Sequence, residues 1–163
     1  MATENRSNDL EGDQLKRLNY LIRRMHQTAD AFYYDETTQS DPACDITPVQ
    51  LAALRAIQFR PGTDQLRLAN AIKLDRTTVA GVVQRLENKG LITRVPAAHD
   101  RRANVLHLTE GGAALLAQLL PAADRAQRRM LSKLSAEERR TFLDLMVRLV
   151  DQDAAGQTVK KRA

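Results

Sequence analysis

At 163 residues the chain is long enough for one domain with a proper core, or for a small domain carrying helical extensions. Its net charge of +5 leans towards an anionic partner, and an aromatic content of 4% is too sparse for the stacking platforms that single strands prefer, which leaves duplex nucleic acid. One cysteine, Cys44, excludes an internal disulfide and every multi-cysteine metal pattern, and no apolar run approaches the roughly 20 residues of a bilayer span.

The opening residues 1–13 are polar and lack the basic and apolar regions of a secretory leader, so they are expected to form a disordered arm in a cytoplasmic protein with no membrane partner. Leu15, Leu18, Ile22, Met25, Ala29 and Phe32 then recur at alternating spacings of three and four. That spacing predicts a helix of about five turns whose apolar seam packs against something long, within a unit spanning 14–46. Thr47-Pro48-Val49-Gln50 supplies a cap, a proline at the first helical position and the glutamine of a capping box, so a second helix follows with Leu51, Leu54 and Ile57 inward.

After Arg60-Pro61-Gly62 a short helix is expected with Leu66, Ala69 and Ile72 inward, and Asp75 caps a fourth helix that Gly90 closes. LITRV and ANVLHL read as strands, with Leu106 and Leu108 on one face and PAAHDRR as a projecting loop between them. Thr109 caps a long helix that continues past Pro121 towards Leu134, and Ser135 and Glu138 start a last one with Phe142, Leu145, Met146, Leu149 and Val150 on one face. Residues 153–163 are expected to be a disordered tail.

Two short helices followed at once by a basic hairpin describe a winged helix-turn-helix over 47–109, flanked by N- and C-terminal dimerisation helices at 14–46 and 110–152: a mainly α fold with a small β-hairpin wing. In such a unit the second helix enters the major groove of double-stranded DNA. Val79, Val82, Val83 and Leu86 fall on one side of the fourth helix, so Thr77, Thr78, Gly81, Gln84, Arg85 and Asn88, with Arg76 at its start, form the opposite, DNA-facing side. In the wing, His99, Arg101 and Arg102 reach for the backbone or a narrow minor groove, and Asp100 braces an arginine. Between Asp64 and Thr109 eight basic residues stand against four acidic ones, so most of the positive excess lies here.

These residues resemble the MarR family of bacterial regulators. The likeness rests on Leu68-Ala69, on LDRTTVAGVVQRLENKGLITR from Leu74 to Arg94, and on Asp100-x-Arg102 followed by Leu106-x-Leu108-Thr109, and it spans about Thr47 to Leu116. It implies a homodimer with intertwined outer helices, a palindromic operator, and repression relieved by a small ligand. Gly81 departs from it, standing where many relatives carry a larger polar or basic side chain. YLIRRMHQ, with the fourth-helix motif, is similar to the branch that controls aromatic-acid breakdown, whose effectors are aromatic carboxylates or their coenzyme A thioesters.

Beside the apolar seam of the first helix runs a polar stripe, Asn19, Arg23, His26, Asp30 and Tyr33. It either lines an effector cleft, with Arg23 meeting a carboxylate, or is a solvated flank with intrahelical pairs such as His26 with Asp30. Two alternatives stand beside the effector reading: a redox switch at Cys44, whose neighbours Asp41 and Asp45 are the opposite of the electropositive setting that activates thiols, and a regulator without an effector. His26, His99 and His107 are too dispersed to suggest a metal, no cofactor is expected, and no Gly-rich phosphate loop, nucleophile elbow or HExxH suggests an enzyme.

Overall fold

The computed structural model describes residues 3–97 and 100–151, with side chains at 16–97 and 104–150. The elements follow in the order α1 (Thr3–Ser40), α2 (Pro48–Phe59), α3 (Gln65–Ile72), α4 (Arg76–Asn88), β1 (Ile92–Ala97), β2 (Asp100–Leu108), α5 (Glu110–Met130) and α6 (Ala136–Asp151).

Helix α1 is longer than its apolar seam predicts, beginning at Thr3 where the sequence suggested a disordered arm. That stretch contains Glu4, Arg6 and Glu11, which propagate a helix at little cost, and Glu4 falls in the first turn, where the helix dipole favours an acid. The expected tail at 153–163 lies outside the described residues.

The short helices start where their caps dictate. Thr47 Oγ1 accepts from the Gln50 amide at 3.2 Å while Gln50 Oε1 accepts from the Thr47 amide at 3.1 Å, closing the capping box of α2. Asp64 caps α3 by accepting from the Arg67 amide at 2.7 Å. Inside α3 the inward residues are Leu68 and Ala69, whereas Leu66 is half-exposed, contrary to expectation. Leu66 stands two residues, or about 200°, from Leu68, so one helix cannot bury both on the same side.

Strands β1 and β2 pair antiparallel with Ile92 opposite Leu108 and Arg94 opposite Leu106, and an irregularity falls at Pro96/Ala97. Both run further than the sequence suggested, so much of the expected loop is hairpin and only 98–99 separate the strands. The base of the wing is tied to the α2–α3 turn. Leu106 donates its amide to Thr63 O at 2.8 Å and accepts from the Gly62 amide at 3.0 Å, with Gly62 at φ +77°.

Leu54, Ile57, Leu68, Val79, Val83, Leu86, Ile92, Leu106, Leu116 and Leu119 form the core that joins α2, α3, α4 and the wing to α5. Thr109 locks the wing to α5: its hydroxyl donates to Gly90 O at 2.7 Å and accepts from the Gly112 amide at 2.9 Å. Gly112 packs so closely on Leu91 that a Cβ there would lie 2.0 Å from Leu91 O. Ser135 and Glu138 exchange the two bonds of the expected capping box at the start of α6.

The C-terminal part of α1 is clamped to α5. Arg125 donates to Glu36 Oε2 at 2.8 Å and to Ser40 Oγ at 2.9 Å, and Arg129 bonds both Glu36 and Asp35 while its guanidinium lies over the Phe32 ring at 4.6 Å. Towards its N-terminus α1 leaves Leu18, Leu21 and Ile22 about half-exposed, and α6 likewise exposes Leu143, Leu145, Val147, Leu149 and Val150.

Candidate nucleic-acid interface and adjoining cleft

Asp75 fixes the start of α4, accepting from the Thr78 amide at 2.9 Å and the Thr78 hydroxyl at 2.7 Å. Val79, Val82, Val83 and Leu86 are buried as the period requires, so Arg76, Thr77, Thr78, Gln84, Arg85 and Asn88 are exposed, with Gly81 partly so. The burial of one side of the helix thus leaves the α4 members of the residue set that the sequence assigned to DNA exposed or partly exposed.

Several of these side chains have partners within the protein. The Thr78 hydroxyl serves the cap, while Gln84 Nε2 donates to Asn88 Oδ1 at 2.9 Å and Gln84 Oε1 accepts from Arg94 Nη2 at 3.1 Å. Arg94 Nε also lies 3.0 Å from Glu87 Oε2. Among the basic residues behind the local positive excess, Arg67, Lys89 and Arg94 are paired with Asp64, Asp45 and Glu87. Arg85 extends back over Gly81, its Nη2 3.6 Å from where a Cβ would stand. Asp100, Arg101 and Arg102 belong to β2 with their side chains outside the described set, as is His99 altogether, so the Asp100 brace lies beyond the described residues.

Behind the helix-turn-helix, a cleft of about 270 Å³ opens between α1, α2 and α5. Ala29, Asp30 and Tyr33 form one wall, Pro48, Leu51, Ala52 and Arg55 the second, and Leu120, Ala123, Ala126, Gln127 and Met130 the third. Of the predicted polar stripe it takes Asp30 and Tyr33. Asn19, Arg23 and His26 lie nearer the N-terminus of α1 and are exposed; Arg23 stands over the Tyr20 ring at 5.9 Å, and His26 Nδ1 lies 3.3 Å from Asp30 Oδ2. Tyr33 is buried and its hydroxyl donates to Ile46 O at 2.9 Å, so its proton is engaged within the protein. Burial, with Cys44 and Tyr34 nearby, pushes the Tyr33 phenol well above its ordinary pKa, so it stays a donor at any physiological pH.

A family model described as the MarR family matches residues 45–103. The transcriptional repressor NicR of Pseudomonas putida is 31% identical over 143 residues, covering 86% of this chain and 87% of NicR. The chain belongs to the MarR family. Among solved structures it resembles Bordetella bronchiseptica BpsR, whose DNA binding is regulated by 6-hydroxynicotinic acid (TM-score 0.74, 26% identity, 82% of this chain and 92% of that one). It also resembles a mutant of Escherichia coli MarR complexed with operator DNA (TM-score 0.75, 25% identity, 84% of this chain and 96% of that one). As a MarR-family protein with this winged helix-turn-helix, the chain is a DNA-binding transcriptional regulator.

Arg55 and Gln127 are polar members of the cleft that the sequence reading missed. A signal for Arg55 was present: with Leu54 and Ile57 inward, Ala52 and Arg55 fall three residues apart on a neighbouring side of α2. Gln127 had no local mark, because its place depends on how α5 crosses α1. Among the described residues no cluster of three or more His, Cys, Asp or Glu could hold a metal ion, and no helix is long and apolar enough to cross a membrane.

Proposed function

We propose that this MarR-family chain is a cytoplasmic repressor, released from a palindromic operator when a small aromatic carboxylate occupies the cleft between α1, α2 and α5. It acts by binding alone, as a homodimer in which the exposed apolar residues of α1 and α6 meet their counterparts. That dimer presents Arg76, Thr77 and Arg85 of each subunit to successive major grooves, with each wing against the flanking backbone or minor groove.

The cleft carries this reading. It is predominantly apolar, holds one arginine, and joins the dimer helices to the DNA-binding unit, so a ligand there touches both. Its volume of about 270 Å³ lies just under the ~300–1,000 Å³ of drug-sized sites. That suits a single-ring acid, whereas a coenzyme A thioester could insert only its acyl group. Arg55 is the residue placed to pair the carboxylate, with the Tyr33 ring as apolar wall. Asn19, Arg23 and His26 join the site only if α1 of the partner subunit reaches the cleft. The ring acid regulating BpsR supports the ligand class. For the ligand to release DNA it must prefer the geometry that does not bind the operator.

Calorimetric titration of the full chain with 6-hydroxynicotinate, benzoate, cinnamate and benzoyl-coenzyme A tests the reading. At least one ring acid should bind, weaken retardation of duplex from upstream of the gene, and lose affinity on Arg55→Ala. Arg23→Ala reports separately on any contribution of the polar stripe. No binding by the whole panel, or binding untouched by both substitutions, contradicts the site.

A further inference from the structure

The α1–α2 linker is gripped at two consecutive residues from opposite directions. On one side Tyr33, whose ring lines the cleft, donates its hydroxyl to Ile46 O at 2.9 Å. On the other, Lys89 Nζ lies 2.6 Å from Asp45 Oδ1 and donates to Asp45 O at 2.9 Å, across 44 positions of sequence. Lys89 is the C-cap of α4, its own amide closing the last turn on Arg85 O at 3.1 Å, and the amides of Gly90 and Leu91 close on Glu87 O and Leu86 O. Ile46 is buried in the core, so the linker cannot shift at one grip without straining the other.

We infer that Asp45 and Ile46 form a strut that transmits the state of the cleft, sensed at Tyr33, to the C-terminal end of the recognition helix through Lys89. The inference rests on the cleft being the effector site, but the strut itself exists in the ligand-free protein. Tyr33, Asp45 and Lys89 are positioning residues in it. Displacement of the Tyr33 ring by a ligand would move the hydroxyl that holds Ile46 O and loosen the grip on Lys89. The Lys89 ammonium holds the Asp45 carboxyl below its ordinary pKa, so the charged pair is intact at neutral pH. Contiguous contacts permit such coupling; a measured response at the far end establishes it.

Amide hydrogen exchange on the full ligand-free chain supplies that measurement, with Tyr33→Phe, Asp45→Asn and the double variant compared with wild type. The reporters are the amides of Lys89, Gly90 and Leu91. Asp45→Asn, which removes the carboxylate charge facing Lys89 while keeping the oxygen, should speed their exchange about fivefold, the ratio that corresponds to about 1 kcal/mol. Tyr33→Phe, which keeps the ring, should move them in the same direction, and the double variant should be no faster than Asp45→Asn alone. Unchanged reporters in Tyr33→Phe, or effects that simply add, overturn the strut. If Tyr33→Phe fails to fold, Asp45→Asn is read in reverse, by the Thr47 and Ala43 amides flanking the strut, which must also quicken for the inference to stand. Calorimetry of the wild-type chain with 6-hydroxynicotinate, benzoate, cinnamate and benzoyl-coenzyme A decides the effector reading separately, since the exchange result needs no ligand.

Discussion

Arg94 on the wing holds Gln84 on the recognition helix, its Nη2 donating to Gln84 Oε1 at 3.1 Å. With Gln84 Nε2 given to Asn88 and Arg94 Nε beside Glu87, a polar chain runs from β1 across α4 and fixes the wing against the helix. The Gln84 amide therefore has both ends engaged, and pairing with adenine would require breaking two bonds first. Gln84→Ala should weaken binding to all duplexes by a similar factor, whereas Thr77→Ala should alter preference among them. Competition binding with a randomised half-site separates the outcomes, and a preference change confined to Gln84→Ala would contradict this arrangement.

Gly81 sits mid-helix with open space beyond the Arg85 guanidinium. Gly81→Ala should therefore raise stability by about 0.5–1 kcal/mol, since glycine costs that much in a helix interior. Chemical denaturation checks the gain. Arg85→Ala should leave stability nearly unchanged and reduce the salt dependence of duplex binding by about one unit of slope if Arg85 meets a phosphate.

Gly112→Ala should have the opposite effect on the fold. Its Cβ would meet the Leu91 carbonyl oxygen at 2.0 Å, and the obstacle is backbone rather than a side chain that can turn away. α5 would have to part from the base of the wing, breaking the Thr109 bonds to Gly90 and Gly112, at an expected cost of about 2 kcal/mol or more. Thermal unfolding measures it, and an unchanged midpoint would count against this packing.

Asp35 and Glu36 are held below their ordinary pKa values, Asp35 by the hydrogen bond from Arg129 and then Gln39, Glu36 by those from Arg125 and Arg129. A carboxyl whose folded pKa is depressed stabilises fully above its unfolded pKa of about 4 and loses that contribution as pH falls through the lower folded value. Glu36→Gln should lower the melting temperature at pH 7 and flatten its decline between about pH 5 and pH 3. A decline as steep as in the wild-type chain would show that the clamp is not the source of acid sensitivity.

What the sequence disclosed, and what it hid, divides along local and distant interactions. Asp75, the Val79–Val82–Val83–Leu86 face and the Thr47–Gln50 box were legible because a cap and a period are properties of adjacent residues. Leu66 was expected inward in place of Leu68 because α3 is only two turns long, too short for one period to dominate. The Arg125 and Arg129 clamp on α1, and the Leu106 bonds to Gly62 and Thr63, join segments far apart in the chain and leave no local mark. For Arg55 the period of α2 shows that it flanks the buried side, but not what stands opposite that flank. Polar residues 3–13 read as disorder because they lack an apolar face and hold several weak helix formers, Asn5, Asn8, Asp9 and Gly12 among them, yet α1 runs through them.

The most direct measurement is the salt dependence of binding to a duplex from upstream of the gene, made on the wild-type chain and on Arg76→Ala/Arg85→Ala. If α4 and the wing of two subunits grip the backbone, log Kd should rise steeply and linearly with log salt, with a slope of about 5 or more, and the double variant should bind more weakly with a shallower slope. A chain that fails to bind this or any other duplex at about 50 mM salt, or whose slope ignores both substitutions, would contradict the account.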